Sequence, residues 1–106
     1  MKQNFLSSHK LDADGNPAGG YSESTGIAVR WQDGPLGRGA DRKEPNGAFV
    51  ETLLQIVMDR LSFYQATRFA CYENEQALDG IQTALEALHS RTLNRKTRDV
   101  EGTHQQ

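Results

Sequence analysis

Arg91, Arg95 and Arg98 lie close together in RTLNRKTRDVEGTH, the stretch that leads to Gly102. Arg91 and Arg95 are four residues apart and share one face of a helix. Two guanidiniums on one face repel each other, so the pair is expected to lack a structural partner and to hold an anion. The planar fork of arginine suits a phosphate better than a point charge does. Two more side chains extend this inventory. Tyr64 offers an aromatic face, and Asn74 an amide able to read a base or a ribose. Together the four residues are a nucleotide-sized set. Trp31 and its neighbour Arg30 are further candidates for ligand contact.

The elements that must position these residues are legible as a change of period near Asn46. Upstream, GIAVRWQ at 26–32 alternates, with Ile27, Val29 and Trp31 on one side and Ala28, Arg30 and Gln32 on the other, as in a half-buried strand. Before it, DADGNPAGG at 12–20 is dense turn chemistry, and Asn4–Leu6 or Ser22–Thr25 are candidate edge strands across it. After it, DGPLGRGADRKEPNG carries four glycines, two prolines and the cations Arg38, Arg42 and Lys43, and reads as a flexible lid.

Downstream, Asn46 is a good N-cap residue. Val50, Leu54, Val57, Leu61 and Tyr64 then form a heptad-like seam, with Phe49, Leu53 and Ile56 in a second apolar row beside it. A second helix opens near Cys71, with Glu73 and Glu75 where the helix dipole favours acids. Its seam is Leu78, Ile81, Leu85, Leu88 and Thr92, and Gly80 inside the helix suggests a close approach there. The expected fold is α+β, a small N-terminal antiparallel β-sheet followed by a long antiparallel αα-hairpin. Residues 26–50 contribute the sheet, and residues 47–65 and 72–98 the hairpin. The chain is expected to be a single domain over 1–106, with a β/loop segment at 1–45 and a helical hairpin at 46–104.

In such a hairpin Tyr64 and Asn74 lie at one end and Arg91 and Arg95 at the other. One hairpin therefore does not close a pocket around all four. A second protomer packed antiparallel would, and two apolar rows on one helix also ask for a neighbour. At least a dimer is expected, with the pocket shared.

Other chemistry is weakly supported. Asp12, Asp14, Asn16 and Glu23 fall at calcium-loop positions, but Pro17 stands where the sharp turn requires glycine, so a hairpin turn is the better reading. His9, His89, His104 and Cys71 lack metal-ligand spacing, and no metal site or cofactor is expected. No nucleophile elbow, phosphate-binding P-loop or dinucleotide fingerprint is present, and no catalytic residue is assigned. One cysteine makes a reducing cytoplasm the simplest home, and no apolar run is long enough to span a membrane. MKQNFLSSHKL does not read as a signal peptide. A net charge of −2 is unlike that of a protein made for long nucleic acids, whereas a small anion needs only a local basic cluster.

PNGAFVE at 45–51, RFACYENEQAL at 68–78 and RTLNRKTRDVEGTH at 91–104 resemble the hairpin family of phage Thoeris anti-defence and anti-CBASS cyclic-nucleotide sponges. GIAVRWQDGPLGRG resembles the added segment of the Thoeris-directed branch. The resemblance covers about residues 26–104, and nothing at 1–25 matches. It implies a non-catalytic protein that sequesters a cyclic ADP-ribose signal, glycocyclic ADP-ribose (gcADPR), in the infected bacterial cytoplasm. It also implies cyclic oligonucleotide binding in separate pockets and an assembly of dimers, often a hexamer. Carried over by position, the ADP-ribose pocket would use Tyr64, Asn74, Arg91 and Arg95. The oligonucleotide site would use the tail from Arg98 to Thr103, with Gly102. At position 99 this chain departs from the family pattern, with Asp99 where the family usually has glycine. A carboxylate beside a phosphate is unfavourable, which weighs against a trinucleotide pocket and leaves the ADP-ribose pocket untouched.

Two rival readings stand beside this one. A nucleic-acid-binding phage accessory protein would use the basic end of the second helix and show a steep salt dependence. A purely structural hairpin protein would explain the seams and leave the arginine face without a purpose.

Overall fold

A computed structural model of the chain describes residues 3–97. It divides into two compact units, a sheet and its loops up to Phe49 and a helical hairpin from Val50 onward.

The first unit is a three-stranded antiparallel sheet in the order β1-β2-β3, formed by β1 (Leu6–Leu11), β2 (Pro17–Ser24) and β3 (Ile27–Arg30). The sheet thus takes in residues below 26 as full strands. The turn between β1 and β2 is built by Asp12, whose Oδ1 accepts the N–H groups of Asp14 and Asn16, both at 2.9 Å. The would-be calcium ligand is thereby a turn-forming aspartate, as DADGN foretells. β2 and β3 are joined by the two-residue turn Thr25-Gly26, with Gly26 at φ 78°. Gly20 sits opposite His9 with φ 127°, and a Cβ there would collide with the Ser8 carbonyl oxygen. Only glycine fits the middle of this pair.

Register decides which side chains share a face. Ser8, Tyr21 and Arg30 are aligned across the three strands, and Ser7, Ser22 and Val29 are aligned on the opposite side. Trp31 follows β3 in a parallel bridge to Ala48. The Gly47 backbone passes so close to Trp31 that a Cβ would lie 2.6 Å from the Trp31 carbonyl oxygen.

Asn46 does not cap a helix. Its Nδ2 donates to the Asp33 carbonyl at 3.0 Å, and its Oδ1 accepts the Asp33 N–H at 2.8 Å. Gln32 answers from the other side, its Oε1 accepting the N–H groups of Asn46 and Gly47 at 2.9 and 3.2 Å. Two carboxamides thus clasp the neck of the 33–45 loop. Because Ala48 is held in the bridge to Trp31, helix formation waits until Val50.

The second unit is an antiparallel pair, α1 (Val50–Gln65) and α2 (Tyr72–Thr97). The α2 seam lies where periodicity puts it, with Leu78, Ile81, Leu85, Leu88 and Thr92 half-buried. The α1 seam is rotated by one residue from the expected one. Glu51, Leu54, Met58, Leu61 and Gln65 are half-buried, while Val50, Val57 and Tyr64 are exposed at 50%, 41% and 36%. The expected second row also divides, Leu53 being half-buried and Ile56 exposed. An ideal Cβ at Gly80 meets nothing within 4 Å, so no close approach within the described residues explains that glycine. Among the described residues no side chain is fully buried. The helix pair therefore rests on partial burial, and α1 leaves an apolar stripe uncovered.

Candidate functional site

Within the helical unit the candidate side chains separate into two clusters. Asn74 and Arg91 lie on one helix, 17 residues apart, which is about 26 Å along its axis. Tyr64 ends α1 and Asn74 opens α2, so both stand at the hairpin tip.

At the tip, the Tyr64 hydroxyl accepts Arg60 Nε–H at 3.2 Å. The Arg60 guanidinium also lies 5.0 Å from the Tyr64 ring centroid and 4.9 Å from that of Phe63. Those are cation–π distances. The two rings are 5.9 Å apart and inclined at 49°. Arg60 is thus part of the aromatic cluster, although sequence reasoning passed over it. The i, i+4 spacing of Arg60 and Tyr64 is the signal that was available.

Thr67 closes α1, its Oγ1 donating to the Tyr64 carbonyl at 2.6 Å and accepting the Phe69 N–H at 3.1 Å. Gln65 joins the two helices. Its Oε1 accepts the Cys71 N–H and Asn74 Nδ2–H, both at 3.0 Å. Asn74 is half-buried beside it, and among the described residues nothing engages its Oδ1.

At the other end, Arg91 is not without a structural partner. Its Nη2 lies 3.7 Å from Glu51 Oε2, with the two side chains 50% and 36% exposed. At that distance and exposure the pair is a loose one, worth about 1 kcal/mol or less. Arg95 is half-buried and continues the inward row through Leu88 and Thr92. Its stem therefore lies along the apolar seam. Among the described residues no ion pair engages the Arg95 guanidinium. This end therefore presents one arginine in a loose pair and one with no acidic partner among the described residues. An anion reaching it would meet two forks, at the modest cost of loosening one exposed ion pair.

Trp31 and Arg30 belong to the sheet unit. They line one cleft of ≈ 800 Å³ together with Lys10, Tyr21, Glu23 and Asn46. Trp31 Nε1–H donates to Ser22 Oγ at 3.0 Å, and Ser22 Oγ is 2.7 Å from Ser7 Oγ. The indole edge is thus held by the sheet, while Arg30 is exposed. Arg98, Gly102 and Thr103 lie outside the described residues.

Among the described residues no helix is long and apolar enough to cross a membrane, and no group of three potential metal ligands gathers.

Residues 23–93 match the family model described as "Acb2/Tad1, hairpin domain". The chain is also 41% identical over 77 residues to "Thoeris anti-defense 1" of Bacillus phage SBSphiJ7. That alignment covers 73% of this chain and 51% of the phage protein, so the chain spans about half the length of the curated relative it matches. The span matched by the family model holds β3, the clasped loop, α1, α2 as far as Leu93 and the candidate residues from Arg30 to Arg91, and it ends before Arg95. This chain belongs to the Acb2/Tad1 hairpin-domain family.

Proposed function

We propose that this protein is a phage anti-Thoeris sponge that binds a cyclic ADP-ribose signal, gcADPR, and keeps it from its receptor without cleaving it. The observation that carries the reading is the arginine end of the hairpin in a chain so similar to Thoeris anti-defense 1. Arg91 is only loosely paired and Arg95 has no acidic partner among the described residues. Two adjacent guanidinium forks suit a pyrophosphate.

Tyr64 would stack on a ring of the ligand, Asn74 would hydrogen-bond its ribose or base, and Arg91 and Arg95 would clamp the pyrophosphate. Because the hairpin separates these groups, the pocket is shared by two protomers in antiparallel array. The uncovered α1 stripe supports such an assembly, with Ile56 60% and Phe63 53% exposed. Burying that stripe against a second copy removes apolar surface from water at about 25 cal/mol per Å². Dimers would assemble further, up to a hexamer, and cyclic oligonucleotides are a second ligand class of such an assembly. Within the sheet unit, Arg30 and Trp31 line one cleft and would make ligand contacts there.

The mechanism is mass action in the infected host cytoplasm. Free sites in excess at roughly a hundred times Kd leave about one signal molecule in a hundred unbound. No group is required to form or break a bond.

The test is release. Protein saturated with gcADPR and freed of unbound ligand is heat-denatured, and the supernatant is chromatographed. Recovery of intact ligand in near-stoichiometric amount is expected. Recovery of a ring-opened product alone would make the protein an enzyme, and recovery of nothing would remove gcADPR as the ligand.

A further inference from the structure

Gln65 uses its whole hydrogen-bonding capacity at the hairpin tip. Its Oε1 accepts from Cys71 N–H and Asn74 Nδ2, both at 3.0 Å. Its Nε2 donates to the Cys71 carbonyl at 3.0 Å and to Glu75 Oε1 at 2.8 Å. Two acceptor and two donor positions are all that a carboxamide offers. The pattern permits one orientation. Turned over, the amide would set its NH₂ against the Cys71 N–H and its oxygen against the Glu75 carboxylate.

The orientation of Asn74 follows from that of Gln65. The Asn74 nitrogen must face Gln65 Oε1, because two carbonyl oxygens cannot share a hydrogen bond. The Asn74 oxygen is then left as a fixed acceptor. Without Gln65, the terminal torsion of Asn74 would be broad and the group would present oxygen or nitrogen with similar ease.

We infer that Gln65 is a positioning residue for ligand recognition. It locks the Asn74 carboxamide so that Oδ1 meets a hydrogen-bond donor of the ligand, a ribose hydroxyl or an exocyclic amine. This rests on the reading of Asn74 as a ligand contact in the gcADPR pocket. Pre-organising the acceptor saves its ordering entropy on binding.

Calorimetry with gcADPR on the full chain tests the inference through a double-mutant cycle, each variant accompanied by its thermal melt. Asn74→Ala should weaken binding about five- to tenfold, the usual worth of one hydrogen bond. Gln65→Ala should weaken it by a similar factor, and Gln65→Ala/Asn74→Ala should bind no more weakly than Asn74→Ala alone. The exchange Gln65→Glu/Glu75→Gln keeps an oxygen acceptor for Cys71 N–H and Asn74 and moves the donor to position 75, and it gives up the bond to the Cys71 carbonyl, which should lower the melting temperature. It should bind within about threefold of the unsubstituted protein.

A merely structural role predicts losses that multiply in the double variant and follow the melting temperature. That result overturns the inference, as does unchanged affinity in Gln65→Ala or in Asn74→Ala. Should Gln65→Ala fail to fold, the exchange pair decides: retained binding supports the inference and a tenfold loss overturns it. No binding by the unsubstituted protein would instead overturn the functional reading, and this inference with it.

Discussion

The two ends of the helical hairpin treat their polar groups in opposite ways. At the tip, Gln65 satisfies four hydrogen bonds within the chain and ties the start of α2 to the end of α1. At the open end, Arg91 reaches Glu51 only at 3.7 Å, and Arg95 lies on the inward face with no acidic partner among the described residues. The contrast separates order from capacity. Filled hydrogen bonds hold a shape, and loosely engaged charges are available to an anion. A ligand clamp belongs at the second kind of site, and a fixed reading group at the first.

The largest perturbation is one that destroys both ends together. Leu54→Glu or Leu85→Glu puts a carboxylate into the interhelical seam, where an unpaired charge costs several kcal/mol. Loss of a cooperative helical melt by circular dichroism is expected. A native-like melt would mean that the seam is not where the hairpin is held.

Next in size is assembly. Phe63→Glu adds charge to the uncovered α1 stripe and leaves the α1–α2 seam alone. Light scattering at micromolar concentration should show a smaller species than the unsubstituted protein, with helix content preserved. A well-folded monomer before any substitution would count against a pocket shared between protomers.

Arg95→Ala removes one guanidinium fork from the open end. A charge-assisted contact is worth about 1.5–3 kcal/mol, so gcADPR binding should weaken roughly ten- to a hundredfold. Because the Arg95 stem lies along the seam, a small loss of stability should accompany it. The smallest effect belongs to Glu51→Gln, which removes the partner of Arg91. Stability should change by no more than about 1 kcal/mol in a denaturant titration. A loss of several kcal/mol would show the Glu51–Arg91 pair to be structural and would undercut its availability to a ligand.

The sequence and the fold agree most where one pattern alone fits. α2 carries a single apolar row among charged residues, and its seam was legible in full. In α1, VETLLQIVMDRLSFYQ carries two stripes that share Leu54 and Leu61, and the one that is apolar throughout, with Val50, Val57 and Tyr64, is not the one that faces α2. The stripe that faces α2 is the one whose ends are polar, Glu51 and Gln65, since those ends meet Arg91 and the first turn of α2. Apolar periodicity does not register that choice. Asn46 shows the same limit in the loop. Its residue type fits an N-cap, but the return of the chain beside Trp31 places Asp33 within reach and gives its carboxamide other partners. The β1–β2 hairpin was only half legible, because LSSHKL and PAGGYSES lack the apolar alternation of a half-buried strand. Their pairing depends on turn chemistry at Asp12 and on a glycine at position 20.

If the arginine end of the hairpin clamps phosphate, Arg91→Ala/Arg95→Ala removes the whole clamp at once. Isothermal calorimetry with gcADPR is run on this variant and on the unsubstituted protein, with circular dichroism recorded on the same samples. Tight binding by the unsubstituted protein and no detectable heat from the double variant at the same concentrations are expected, with both proteins folded. Unchanged affinity in a folded double variant would contradict the clamp.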